Sequence, residues 1–216
     1  MDSSALRDLD RAGLRRLGKA QREAASRRGL GTWRAAPDRP DPVEVLRAGA
    51  ADRLPGIAPI RIGRMATDPF AFLRGSAEVM AGDIGPSTTS GIPVQICGDA
   101  HLVNFGLFAT TERHLVFDLN DFDETTVGAW EWDVLRLAAS VVVAARANGM
   151  DPDAGVAASR QVATSYRERM AELADLSALE RRYLRIDMDD VLDALRHNAP
   201  TDVAVARTEK QVAKAR

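Results

Sequence analysis

Residues 97–106, CGDAHLVNFG, follow directly on the strand-like run GIPVQI (91–96) and place Asp99, His101 and Asn104 where a hydrophobic strand leaves the core. Beyond them the chain has hairpin character. NFGLFAT (104–110) and RHLVFDLND (113–121) have strand composition, TTER (110–113) suits the loop between them, and the second strand delivers NDFDE (120–124). Two short strands would thus carry Asp121 back toward the segment that holds Asn104.

Outside this centre the pattern is helical. SSALRDLDRAGLRRLGKAQREAASRR (3–28) reads as a helix that its serines can cap, and GLGTWRAAPDRPDP (29–42) breaks it as a connector. VEVLRAGAADRL (43–54) is a short amphipathic helix, APIRIGRM (58–65) reads as extended, and a further helix runs from Asp68 or Pro69 to about Gly82. DVLRLAASVVVAARANGM (133–150) is apolar on most faces and predicts a buried helix. Another helix follows Asp151-Pro152, residues 177–199 give one or two more, and VAVARTEKQVAKAR (203–216) is a polar helix fragment. The expected class is α+β, mostly helical, divided into an N-terminal helix and connector (1–40) and one main domain (41–216).

A 45% hydrophobic content is enough to bury a sizeable core. The longest apolar run, LAASVVVAA (137–145), is too short to cross a bilayer, and the acidic start MDSSALRDLD is unlike a signal peptide, so the expected location is cytoplasmic, without a membrane. One cysteine, Cys97, excludes an internal disulfide and a multi-cysteine metal site and reads as a small buried hydrophobe. Residues 1–40 hold nine Arg and one Lys against five acids, yet with no aromatic platform between them they read as a solvated helix face rather than a nucleic-acid surface. From Asp99 to Asp133 eight carboxylates face only Arg113, a density that solvent or cations must separate.

Phosphoryl transfer from a nucleotide needs a carboxylate at the acceptor hydroxyl and oxygen ligands for magnesium. Asp99 and Asn104, five positions apart, with Asp121 after a hairpin, have the order of such a segment. Arg74, in the apolar helix FAFLRGSA, needs a carboxylate or phosphate partner if buried and is a candidate nucleotide-phosphate contact; Arg61 and Arg64 are weaker candidates of the same kind. His114 and His197 read as surface residues, and Trp130 and Trp132 as core anchors beside Glu131.

GDAHLVNF (98–105) resembles the catalytic loop of aminoglycoside and choline phosphotransferases, Gly-Asp-x-His-x-x-Asn, and NDFDETTVGAWEWDVLRLA (120–138) resembles their metal-binding segment and following helix start. The resemblance implies a protein-kinase-like domain of the helical C-lobe type. It implies Asp99 as catalytic base, with His101 fixing the loop, Asn104 and Asp121 as Mg2+ ligands and Asp123 as a further metal contact. Asp133 would hold the loop through its backbone N–H groups. ATP and Mg2+ would be the cofactors, and a small-molecule or protein hydroxyl the acceptor.

Over nearly all its length the chain is similar to the bacterial domain of unknown function 2252 family, through DPVEVLRAGAADRLPGIAPIRIGRM (41–65), DPFAFLRGSA (68–77), ICGDAHLVNFG (96–106), VFDLNDFDET (116–125), GAWEWDVLRLAAS (128–140) and VAKAR (212–216). A phosphotransferase of this type also uses a Gly-rich phosphate cover and a strand lysine. Lys19, Lys210 and Lys214 are the only lysines, and none follows a glycine loop. Members of that family carry these parts further along, so the expectation is a main domain incomplete at its C-terminus. Two alternatives stay open: a pseudoenzyme or remnant that binds nucleotide or metal without turnover, and a binuclear metallophosphoesterase, which GDAH also resembles but whose further histidine motifs are missing.

Overall fold

The computed structural model describes residues 9–51, 53–198, 206, 209 and 210. The serines at the start of the first helix, most of the tail helix and the VAKAR stretch lie outside the described residues. The fold is α+β and mostly helical, with two small antiparallel sheets. No helix among the described residues is long and apolar enough to cross a membrane. Two compact units emerge: residues up to Leu102 with Phe122–Tyr166, and Val103–Asp121 with residues from Arg167 onward.

In the first unit, α1 (Arg11–Ala24) starts at Asp10, whose carboxylate accepts from Gly13 N at 2.7 Å, and one turn, α2 (Arg27–Leu30), follows. The connector is fastened to later sequence: Arg39 pairs with Asp83, and Trp33 Nε1 donates to the Asp83 carbonyl. Helices α3 (Pro42–Ala50), α4 (Ala58–Met65), α5 (Pro69–Gly75) and α6 (Ala77–Ile84) come next. Asp41 and Asp68 each cap a helix with proline in its first turn, where a missing N–H costs nothing.

Two expectations fail here. APIRIGRM is helical throughout, although Ile60, Arg61 and Ile62 alternate as a strand would. Arg61 and Met65, one turn apart, both meet Gly75: Arg61 Nη2 donates to its carbonyl at 2.5 Å, and the Met65 side chain fills the space a Cβ there would need. Tertiary contact on a single helical face thus overrides β-like composition. The helix expected over 68–82 breaks at Ser76, where the hydroxyl donates back to Phe72 O at 2.7 Å and the backbone leaves helical angles.

Strand β1 (Pro93–Ile96) pairs with β4 (Thr126–Ala129), a strand the sequence pattern concealed, with Pro93 opposite Ala129 and Ile96 opposite Thr126. Helix α7 (Trp130–Ala147) follows β4 at once and packs on β1, β4, α5 and α6. Its buried residues are Glu131, Arg136, Ser140 and Ala145, so the helix expected to bury apolar faces buries three polar groups as well.

Helix α8 (Pro152–Asp175) begins in the first unit; its last residues belong to the second. In the second unit, β2 (Phe105–Ala109) and β3 (Leu115–Leu119) form the expected hairpin, with Phe105 opposite Leu119 and Ala109 opposite Leu115. Helix α9 (Ala178–Tyr183) carries a capping box between Ser177 and Glu180. Helix α10 (Met188–Asn198) lays Met188 and Leu192 against Leu115 of β3, and Phe117 N donates to Ile186 O at 2.9 Å.

Candidate functional site

In the first unit the segment 97–102 is held by one face of α7. Positions 133, 136 and 140 follow the i, i+3, i+7 spacing that aligns side chains on a helix. Asp133 accepts from Cys97 N at 2.8 Å and Gly98 N at 3.0 Å. Arg136 donates to Asp99 Oδ1 through Nε at 2.8 Å and to Leu73 O through Nη2 at 2.5 Å, and Nη2 lies 2.7 Å from Asp99 Oδ1 in the ion pair. Ser140, fully buried, accepts from Leu102 N at 2.9 Å. The segment needs glycine at position 98: its φ is +85°, and a Cβ would collide with the Glu124 carbonyl.

Asp99 and His101 are both buried. His101 Nε2 lies 3.6 Å from Asp99 Oδ2, and His101 Nδ1 is a buried atom with no hydrogen-bond partner. Burial pushes the imidazole below its ordinary 6.5; Asp99 opposes this, while Arg136 and Arg74 add to it. Burial also raises the Cys97 thiol, which sits in the core as a small apolar group. Arg74 is exposed, and its charge acts on His101 and Asp68. The buried arginine that meets the acidic loop is Arg136, which sequence reasoning passed over. Arg61 is a structural tie to Gly75 and, at 4.0 Å, to Glu78, and Arg64 is exposed.

Glu131 was also missed. It is 1% exposed and accepts from Ser90 N at 2.7 Å, while its second oxygen meets no donor. Beside it Trp130 donates to Ser90 Oγ at 2.9 Å and stacks on Tyr166 with centroids 5.3 Å apart. Asp123 belongs to this unit and is exposed.

In the second unit the hairpin brings Asp121 to Asn104. Asn104 lies one residue before β2 and is buried; its Nδ2 donates to the Asp121 carbonyl at 3.3 Å and its own carbonyl accepts from Asn120 N at 3.0 Å. The first bond fixes which end of the amide is Nδ2 and which Oδ1, and Asp121 is exposed at the same end of the ladder. Amide and carboxylate oxygens are both hard donors, the chemistry Mg2+ selects, and Mg2+ with nucleotide takes only one or two protein groups. Among the described residues no group of three or more His, Cys, Asp or Glu could hold a metal ion, and His114 and His197 are exposed. A cleft of about 540 Å³ lies at the turn end of the hairpin, between Arg113–Leu115 and Arg185–Asp189, a strand's length from Asn104.

The family model described as "Uncharacterized protein conserved in bacteria (DUF2252)" matches residues 53–216. The chain belongs to this family. The match takes in all the residues described above, from Arg74 through Asp99 and Asp121 to Arg136. No curated protein and no solved structure matches this DUF2252 chain.

Proposed function

We propose that this DUF2252 protein is a protein-kinase-like phosphotransferase that uses ATP and Mg2+ to act on a small-molecule or protein hydroxyl in the cytoplasm, without membrane or nucleic acid as partner. The observation that carries the reading is the return of Asp121 to Asn104 at one end of the β2–β3 ladder. In this reading Asn104 and Asp121, with Asp123, hold the metal, Arg74 meets the nucleotide phosphates, and Asp99 with His101 serves the acceptor hydroxyl. Bound Mg2+ would neutralise the phosphate oxygens. Asp133, Arg136 and Ser140 hold the loop in one shape, which suits a site that works by positioning.

One observation favours a binding protein without turnover: Oδ1 of Asp99 is already engaged by the Arg136 guanidinium, through a hydrogen bond from Nε and the ion pair with Nη2. Calorimetric titration of the chain with ATP, with and without Mg2+, tests the main reading. Magnesium-dependent binding that disappears in Asp121→Asn supports it. A folded chain that does not bind Mg·ATP refutes the reading of this chain as an enzyme by itself, and the nucleotide-binding alternative with it.

A further inference from the structure

In the second unit the hairpin turn and the entrance to α10 enclose the cleft of about 540 Å³, within the roughly 300–1,000 Å³ of small-molecule sites. Backbone contacts tie its two walls together: Phe117 N donates to Ile186 O at 2.9 Å, and Asp187 bridges to Val116. Part of the lining is apolar, with Met188, 2% exposed, and Leu115 packed against it. The charged residues that line it are Arg113, Arg185, Asp187 and Asp189.

Arg113 is set apart from the others. Arg185 is held by Asp187, with Nε 2.9 and 3.0 Å from the two carboxylate oxygens, whereas Arg113 forms no ion pair among the described residues. Among those residues Arg113 is also the only one other than glycine with a positive φ, at +63°. A side chain at such an angle carries a steric cost that glycine avoids. The turn demands the angle but not the guanidinium: its bonds from Arg113 N to Thr110 O and from Thr110 N to His114 O use no part of the Arg113 side chain. What arginine adds here over glycine is a cation at the cleft.

We propose that the cleft binds a small oxyanion, a carboxylate or a phosphate monoester on an apolar body, with the Arg113 guanidinium as its anchor and Leu115 and Met188 along its apolar side. A guanidinium grips either head through two parallel N–H bonds. Asp187 and Asp189 on the same lining disfavour a polyanion, so the ligand carries a single charged head. The entrance of α10 is already served by its own acid, since Asp190 accepts from Asp187 N at 2.9 Å. The proposal stands apart from the phosphotransferase reading: its residues all lie in the second unit, a strand's length from Asn104, and it needs neither metal nor nucleotide.

The test is an NMR titration of the full chain in EDTA with benzoate and with phenyl phosphate, and with benzyl alcohol as the uncharged control. The methionines are methyl-labelled, and Met188 is assigned by the signal lost in Met188→Leu. At least one anion should bind and shift the Met188 methyl. Benzyl alcohol should bind at least about tenfold more weakly, and Arg113→Gly should weaken the anion by about tenfold or more, as loss of a charge-assisted pair implies. Arg113→Gly relieves the backbone angle and should melt no lower than the native chain; if it does not fold, Arg113→Gln takes its place. Arg113→Lys keeps the charge without the fork and should fall between the two. Binding of benzoate alone assigns a carboxylate head, and of phenyl phosphate alone a phosphate head. Binding of neither, binding that leaves the Met188 methyl unmoved, or equal affinity without the arginine overturns the proposal.

Discussion

Replacing Arg136 by methionine removes one member of a buried ion pair while keeping an unbranched side chain in its place. The loss comprises the ion pair with Asp99 Oδ1, with its Nε hydrogen bond at 2.8 Å, and the Nη2 hydrogen bond to Leu73 O at 2.5 Å. Unit charges about 4 Å apart at an effective dielectric of about 20 attract by roughly 4 kcal/mol. Removing one partner from a buried pair costs about 3–5 kcal/mol, because the other charge stays behind in the interior. Methionine regains some apolar contact near Met80, which the guanidinium touches at 3.6 Å, so the expected loss is about 3 kcal/mol, a large part of the roughly 5–15 kcal/mol that holds a domain together. Urea unfolding followed by far-UV circular dichroism measures it, as a lower midpoint at unchanged slope. The double variant Asp99→Leu with Arg136→Met leaves no buried charge behind and should recover about 2 kcal/mol relative to the sum of the single losses. A loss under about 1 kcal/mol for Arg136→Met, or simple additivity in the cycle, would refute the claim that Arg136 holds the loop through charge.

The other expectations concern the same segment. Asp133→Ala leaves the N–H groups of Cys97 and Gly98 without their acceptor and should cost about 2–3 kcal/mol, with Asp133→Asn losing less, as read by the urea midpoint. Gly98→Ala combines a positive φ with a clash at the Glu124 carbonyl, so it should lower the melting temperature more than alanine at the open Gly63; equal effects would contradict the backbone geometry. Because the folded-state pKa of His101 lies below 6.5, the unfolded chain takes up this proton first. Its share of stability is therefore complete above pH 6.5 and drains as pH falls through the lower folded value, and His101→Asn should flatten that part of the urea-midpoint profile.

Much of the fold is legible where the signal is local. Asp41 and Asp68 announce helices because a short carboxylate before Pro42 or Pro69 satisfies N–H groups only a few residues away. The β2–β3 hairpin is legible for the same reason: its turn closes within Thr110–His114, with Thr110 N donating to His114 O. The failures are those decided at a distance. APIRIGRM becomes helical because Arg61 and Met65 find Gly75, and TTVGA becomes a strand because β1, thirty positions earlier, supplies its ladder. Neither partner is marked in the segment itself.

The candidate site divides along the same line. Asp99, His101, Asn104 and Asp121 stand out as polar residues among glycines and apolar strands, whereas Arg136 and Ser140 lie in DVLRLAASVVVAA, where an average of hydrophobicity hides them. The trace is present as phase rather than as composition: Asp133, Arg136 and Ser140 fall on one helical face of this stretch, and solvation cannot explain polar groups at Arg136 and Ser140, 3% and 0% exposed. Buried polar groups need partners, and a strip of three spaced along a helix predicts a backbone segment running beside it with N–H groups to satisfy. The segment 97–102 meets that requirement at Cys97, Gly98 and Leu102, and meets the remaining charge with Asp99. This also settles which arginine the acidic loop recruits. Arg74 stays exposed and acts through space, where water weakens it; Arg136 has given up nearly all its water, and the Asp99 carboxylate and Leu73 carbonyl fixed against it compensate.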